Sequence, residues 1–295
     1  MGGVVKKECI FIDVFTDKAY SGNQLAVFPN ANGLTTEQMQ KFANEINYSE
    51  TTFIFNSSDP LADFDIRIFS INIELPFAGH PTLGTAFSIM NILDIWHEKK
   101  DILKLKTKVG IIPLEKKNDV IWMTQNEPEF FAQYTDKKEI ASLINLSSED
   151  ISDDLPIEEV STGNKMLIIP IKSLSAVQGA EGNANELKKI FDNEPRGPYL
   201  FTRETTKPSA ELHTRFFAPH LGIIEDAATG SAAGPLTGYL LKHNVFGQSF
   251  EVENEQGIEM GRPSKILMKG EIKDNKYIIK IGGKSVYVGK GEFEI

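Results

Sequence analysis

The sequence predicts a mixed α/β (α+β) protein of two pseudo-symmetric lobes, each a curled, barrel-like mixed sheet around a central helix. Three observations carry this. Two sets of short motifs recur in the same order in the two halves of the chain. Each half holds one stretch of helical length that is apolar nearly all round, as a buried helix is. Short runs that alternate apolar and polar residues, the mark of strands with one buried face, lie around those stretches.

The recurrence is worn but ordered. Ser21-Gly22-Asn23-Gln24-Leu25-Ala26-Val27-Phe28-Pro29 matches Thr162-Gly163-Asn164-Lys165-Met166-Leu167-Ile168-Ile169-Pro170, with Gly, Asn and Pro at the same offsets. Further on, Arg67-Ile68-Phe69 leads to Ala78-Gly79-His80-Pro81-Thr82, and Arg215-Phe216-Phe217 leads to Ala227-Ala228-Thr229-Gly230-Ser231. Chance readily produces one echo; two in one order are read as an internal duplication. The expected lobes are residues 1–126 and 127–286, with the C-terminal strand 287–295 a candidate addition to the first.

Taken in order, Ile10, Ile12 and Val14 mark a first strand. Thr35-Thr36-Glu37-Gln38 opens an amphipathic helix that carries Met39, Phe42, Ala43 and Ile46 behind a Thr N-cap. Phe64, Ile66 and Ile68 alternate with Asp65 and Arg67 as a half-buried strand. Pro81 to Trp96 is the first apolar helix, about four turns long, and Gly84, Thr85, Ala86 and Ser88 let neighbouring backbone approach it. Lys106–Met123 is hairpin-like. Residues 135–160, with Glu149, Asp150, Asp153, Asp154, Glu158 and Glu159, read as a solvated helix and linker. Thr229 to Lys242 is the second apolar helix.

Composition narrows the function. The 295 residues carry 31 Lys and Arg against 41 Asp and Glu, a net charge of −10, which gives no electrostatic reason to bind nucleic acid. No apolar run approaches the ~18–20 residues of a membrane span, and the first residues lack a signal-peptide cleavage pattern. Lys6 stands where a myristoylation signal needs Ser or Thr. Cys9 is the single cysteine, so no intrachain disulfide, thiol pair or thiolate zinc cluster can form, and a cytoplasmic setting is expected. His80, His97, His213, His220 and His243 include no pair at the i, i+4 spacing of a helical metal site, so no metal is expected.

Two helix starts hold the candidate chemistry. Pro76-Phe77-Ala78-Gly79-His80-Pro81-Thr82 and Glu225-Asp226-Ala227-Ala228-Thr229-Gly230-Ser231 each run a strand through small residues into a buried helix. The unpaired N–H groups and partial positive charge there favour a carboxylate or a developing enolate, and a pseudo-two-fold axis would set both starts across a cleft between the lobes. Glu50, in Ser49-Glu50-Thr51-Thr52-Phe53, sits where a helix ends and an apolar strand begins. Desolvated there, it would have a raised pKa and could exchange a proton near neutrality. Plainer readings stand beside these: well-capped core helices, a solvent-facing Glu50, a core or capping His80, and an Asp226 that only caps its helix.

The combination of Asp13-Val14-Phe15-Thr16, Gly22-Asn23, Ser49-Glu50-Thr51-Thr52-Phe53, Pro76-Phe77-Ala78-Gly79-His80-Pro81-Thr82-Leu83-Gly84 and Glu225-Asp226 through Thr229-Gly230-Ser231 resembles the PhzF-like phenazine-biosynthesis isomerase family, within the diaminopimelate epimerase fold. The order holds from about residue 10 to 240, and Val288-Gly289-Lys290-Gly291 is compatible with it. The resemblance implies a proton-transfer isomerase without cofactor. Glu50 matches the family's general acid/base, and His80 and Asp226 its polar partners. Ser231, with backbone around Gly79 and Gly230, matches the groups that hold the substrate carboxylate, and Asn23 lies in a substrate-facing motif. In the namesake enzyme the substrate is a dihydro-hydroxyanthranilate.

The epimerase branch of the fold uses a cysteine on each face of the substrate carbon, where this chain has Ala78 and Ala227 or their neighbours. Ser70-Ile71 replaces a Thr-Pro usual in the family, and Ala227 stands where Pro is usual, departures that bear on substrate shape. The expectation is a cytoplasmic isomerase acting on a small carboxylated metabolite, with no metal, nucleic acid or membrane as partner and a homodimer implied only by the family. The alternatives are a non-catalytic carboxylate-binding protein of the same fold, or an amino-acid epimerase or racemase, which the missing thiols disfavour.

Overall fold

The computed structural model describes residues 6–96, 101–191, 196–219 and 222–294. Residues 1–5, on which the leader and lipidation readings partly rest, lie outside these, as do His97 and His220. The chain divides into two compact units, Met1–Thr124 with Gly282–Ile295, and Gln125–Ile281.

The first unit opens with β1 (Lys6–Val14), β2 (Asn23–Phe28), α1 (Thr36–Ile46), β3 (Glu50–Asn56), β4 (Phe64–Ser70) and β5 (Glu74–Leu75). It continues through α2 (Gly79–Asn91), β6 (Ile102–Thr107), β7 (Gly110–Lys117) and β8 (Val120–Thr124). The second unit begins with β9 (Glu129–Tyr134), α3 (Lys137–Leu143), β10 (Ile157–Ser161), β11 (Lys165–Pro170), α4 (Leu174–Gly179), α5 (Ala184–Phe191) and β12 (Pro198–Thr202). After these come β13 (Leu212–Ala218), β14 (Ile223–Asp226), α6 (Gly230–Lys242), β15 (Ser249–Gln256), β16 (Ser264–Lys273) and β17 (Lys276–Gly283). The chain then returns to the first unit as β18 (Ser285–Glu294), which pairs antiparallel with β1.

One pairing scheme serves both units. In the first, β2 runs antiparallel to β1 and parallel to β3, and β3 is antiparallel to β4. Strand β4 is antiparallel to β5 and parallel to β6, which is antiparallel to β7. In the second, β11 stands in the same relation to β10 and β12, and β12 to β13. The scheme is completed by β13 with β14 and β15, and by β15 with β16. The sequence echoes fall at matching places: Gly22-Asn23 leads into β2 and Gly163-Asn164 into β11, while Arg67 lies on β4 and Arg215 on β13. Both arginines do the same work. Arg67 forks onto Glu74 (2.7 and 2.6 Å) over the Phe69 ring, and Arg215 onto Glu225 (2.8 and 2.8 Å) over Phe217. A bidentate guanidinium–carboxylate pair is directional, so each fork fixes the short strand that feeds a buried helix.

The fold is mixed α/β, a curled sheet about a central helix in each unit. Helix α2 packs against β1, β2, β3, β6 and β8, and α6 against β10, β11 and β16. Ten of the thirteen residues of α2 are buried, as an all-round apolar helix demands. A Cβ on Gly84 would lie 2.6–2.9 Å from the Val14, Leu25 and Ile12 side chains, so its absence lets α2 settle on β1 and β2. On the other face of this sheet, α1 lays Met39, Phe42 and Ala43 over Phe28, Phe53 and Phe69, with Phe28 and Phe53 stacked at 4.8 Å. Both faces are covered, so β2 reads as a continuous apolar run. Thr35 caps α1 as expected: its hydroxyl accepts from Gln38 N, and Gln38 Oε1 accepts from Thr35 N. Among the described residues no helix is long and apolar enough to cross a membrane.

Two expectations are corrected. Helix α2 begins at Gly79 and ends at Asn91 instead of spanning Pro81 to Trp96. Ala78 is its extended N-cap, Pro81 needs no intrahelical donor in the first turn, and Ile92 N and Leu93 N both close on Ser88 O. The apolar pattern runs past the helix because Trp96 packs on Phe64, with ring centroids 6.4 Å apart. The acidic run is also not wholly solvated. Glu149, Asp153 and Asp154 are exposed, but Glu158 and Glu159 lie buried on β10. Their charges are met there, Glu158 by Lys242 (2.5 Å) and His243 (2.8 Å), Glu159 by Arg196 (2.5 Å).

The turn into β2 sets a test. Gly22 has φ +71°, and a Cβ there would meet Val14 O at 2.3 Å, whereas Gly33, at φ +84°, has nothing within 4 Å. Gly33→Ala costs only the left-handed penalty of about 1–2 kcal/mol, while Gly22→Ala adds a backbone clash worth about 2 kcal/mol more. Urea midpoints of the two variants against wild type measure the difference.

Candidate active site

In the first unit the site grows from the entrances to β2, β3 and α2. Gly22 turns the chain so that Asn23 opens β2 with its side chain buried. Helix α1 is closed by its C-cap Asn47 in the left-handed conformation (φ 58°), and three residues later Glu50 begins β3, opposite Leu25 on β2 and Ser70 on β4. Gly79 and His80 are the first two residues of α2, behind an N-cap, Ala78, whose side chain offers the first turn no acceptor.

These side chains form a chain of contacts. Ser49 Oγ donates to Asn23 Oδ1 (3.4 Å), and Asn23 Nδ2 donates to His80 Nδ1 (3.2 Å). An amide nitrogen can only donate, so His80 Nδ1 accepts and the neutral ring carries its proton on Nε2. Nε2 lies 3.5 Å from Glu50 Oε2, and the two side chains are 5% and 13% exposed. Glu50 Oε2 is buried with no hydrogen-bond partner among the described residues. Burial pushes the Glu50 carboxyl up to about 7, against a smaller downward pull from the Ser49 hydroxyl. Glu50 is thus not a solvent-facing charge.

In the second unit Asp226 ends β14, half-buried, and Gly230 and Ser231 open α6. Asp226 is not the helix cap. Thr229 holds the N-cap position without a side-chain capping bond, and its hydroxyl donates to Asp226 Oδ2 (2.6 Å). Behind this turn stand residues that the motifs did not single out. Gln256 Nε2 donates to Asp226 O (2.8 Å) and Thr229 Oγ1 (2.9 Å), and Ser264 Oγ donates to Ala227 O (2.8 Å). The strand Ser249-Phe-Glu-Val-Glu-Asn-Glu-Gln256 looks like an exposed edge by its charges, so nothing local in it marks Gln256 as buried.

The structure therefore brings Asn23, Glu50, Gly79 and His80 together in one unit, and Asp226, Gly230 and Ser231 together in the other. Asn23 is turned toward His80 and Ser49. Cys9 is fully buried beneath α1 with its thiol pushed up to about 12 by burial, which leaves it no part in proton transfer near neutrality. No group of three or more His, Cys, Asp or Glu side chains is arranged to hold a metal ion among the described residues. His213, on β13, is another strongly shifted group. Burial pulls it down, but the Glu255 and Glu259 carboxylates at 2.8 and 3.1 Å outweigh this and push it up to about 9.

Glu50 makes a signed prediction. Its folded pKa near 7 exceeds its ordinary 4.5, so the folded state keeps a proton that the unfolded chain releases between those values. The stability this confers is full below about pH 4.5 and is lost as pH rises to about 7. Glu50→Gln removes that slope and leaves the His213 contribution in place, so unfolding free energies of both proteins from pH 4 to 8 isolate it. Carbon NMR of the Glu50 carboxyl should give a midpoint near 7.

Comparison with known proteins identifies relatives along almost the whole chain. A family model described as phenazine biosynthesis-like protein matches residues 12–291. An uncharacterised isomerase of Clostridium acetobutylicum is 35% identical over 297 residues, covering 95% of this chain and 96% of its own. A trans-2,3-dihydro-3-hydroxyanthranilate isomerase of Pseudomonas fluorescens is 35% identical over 96% of this chain and 97% of its own. The crystal structure of a Bacillus anthracis phenazine biosynthesis protein of the PhzF family superimposes with a TM-score of 0.87 at 30% identity, covering 99% of each chain.

Proposed function

The chain belongs to the phenazine biosynthesis-like, or PhzF, family, as its motifs implied, and from that membership we propose a cofactor-independent proton-transfer isomerase that uses Glu50 as its acid/base. Isomerase is the class shared by its named relatives. The observation that carries the mechanism is a buried carboxylate poised near pH 7, one of whose oxygens has no hydrogen-bond partner among the described residues while a histidine N–H stands 3.5 Å away.

The substrate is a small carboxylated metabolite with an acidic C–H conjugated to its carboxylate. Glu50, ionised, removes that proton through Oε2, and the electron pair of the broken C–H bond spreads into the conjugated carboxylate. The first N–H groups of α2 at Gly79 and of α6 at Gly230, with the Ser231 hydroxyl, are suited to the carboxylate and its developing charge. His80 Nε2–H, held by Asn23 through Nδ1, orients Glu50 and donates toward the substrate; Asp226 accepts from a substrate N–H or O–H. Glu50 then returns the proton to another carbon of the same conjugated system, so atoms and charge balance with no second reactant. A pKa near the operating pH lets one group serve in both directions.

The ring acid in the Pseudomonas relatives' name, trans-2,3-dihydro-3-hydroxyanthranilate, is the first substrate to try. In heavy water the wild-type protein should introduce deuterium at carbon and give an isomerised product, and Glu50→Gln should lower that rate by about 10²–10⁴-fold while the acid still binds. Exchange unchanged in Glu50→Gln removes Glu50 from this role. Binding without exchange for this acid and for other small unsaturated carboxylates would favour a carboxylate-binding protein of the same fold.

A further inference from the structure

The geometry points to Gln256 as a positioning residue for Asp226 and for the start of α6, an inference that rests on the role given to Asp226 above. Gln256 ends β15, wholly buried, opposite Thr214 on β13 and Ser264 on β16. Its amide orientation follows from two backbone groups that admit no alternative: Thr229 N–H donates to Oε1 (3.2 Å), and Asp226 C=O accepts from Nε2 (2.8 Å). The remaining positions are also filled, Oε1 by the Tyr199 hydroxyl (3.0 Å) and Nε2 by Thr229 Oγ1 (2.9 Å). All four hydrogen bonds open to a carboxamide are made.

The consequence lies in the direction of the bonds. Because Thr229 Oγ1 accepts from Gln256, its own proton is turned to Asp226 Oδ2 at 2.6 Å. A threonine at an N-cap ordinarily gives its oxygen to an N–H of the first turn; here that oxygen is diverted and α6 has no side-chain cap. Gln256 thereby does two things at once. It aims the Asp226 carboxylate through Thr229, and it withholds the usual internal acceptor from the first N–H groups of α6, leaving them for a substrate carboxylate. Asn254 Nδ2, which donates to the Tyr199 hydroxyl (3.0 Å), extends the same line of bonds one step further back.

The test follows deuterium exchange into trans-2,3-dihydro-3-hydroxyanthranilate for Gln256→Met, Thr229→Val, their double variant, Thr229→Ser and Asp226→Asn, with urea midpoints for each. Gln256→Met and Thr229→Val should each lower kcat by about 10–100-fold, more than they change KM. The double variant should be no worse than the poorer single, since both break one chain. Thr229→Ser, which keeps the hydroxyl, should recover most of what Thr229→Val loses. Gln256→Met within threefold of wild type while Asp226→Asn is inactive would make Gln256 a packing residue and overturn the inference, as would additive losses in the double variant. Asp226→Asn at full activity would instead remove the role of Asp226 itself, and the inference with it. If Gln256→Met fails to fold, the contrast between Thr229→Val and Thr229→Ser decides: equal activities overturn the inference, and rescue by serine supports it.

Discussion

Burying a helix on all sides solves one problem and creates another. Helices α2 and α6 satisfy their interior backbone by themselves, and their apolar surfaces give each curled sheet something to close around. Their first N–H groups, however, have no intrahelical acceptor, and inside a core an unmet donor costs on the order of 1–3 kcal/mol. Several polar groups of the interior stand around these helix starts. The Arg67–Glu74 and Arg215–Glu225 forks fix the strands that enter the helices, and small residues at the entrances keep side chains from filling the space in front of them. A helix start left in this condition favours negative charge in front of it.

The two units meet the same constraint in different ways. At α2 the chain Ser49, Asn23, His80 ends on a carboxylate oxygen with no hydrogen-bond partner among the described residues, so the proton of Glu50 is the least anchored element there. At α6 the carboxylate is the most anchored element, because Thr229 donates to it and Gln256 holds Thr229. The same pairing scheme therefore leaves a buried carboxylate oxygen without a hydrogen-bond partner among the described residues in one unit and ties a carboxylate to a threonine hydroxyl in the other.

Much of this was legible in the sequence wherever a local signal existed. Thr35 and Gln38 spell a capping box, Gly84 sits where a helix must approach two strands, and Glu50 follows a helix end and opens an apolar strand. The family resemblance then tied Glu50, His80 and Asp226 to one chemistry. What stayed hidden depends on partners distant in sequence. Glu158 and Glu159 look like the rest of an acidic surface until Lys242, His243 and Arg196 reach them from other elements. Gln256 sits in a strand whose charges suggest solvent, and it is buried only because β13 and β16 flank it. The C-terminal boundary of α2 was missed for a related reason: Trp96 is apolar because it covers Phe64, which periodicity alone cannot separate from helical burial.

The strand β18 has a consequence for how the protein comes into being. It pairs along the whole of β1, and its Phe293 lies against Phe28 and Phe42, yet the partners Lys6 and Glu292 are 286 residues apart in sequence. On a translating ribosome the first unit emerges early but cannot close its sheet until nearly all of the second has been made. At ordinary elongation rates that is a delay on the order of tens of seconds, during which the edge of β1 and an aromatic face stand open to water and to other chains. The uninterrupted second unit suffers no such delay. Birth order and completion order are therefore reversed, and a chaperone that shields this nascent chain would find its target at the N-terminal edge.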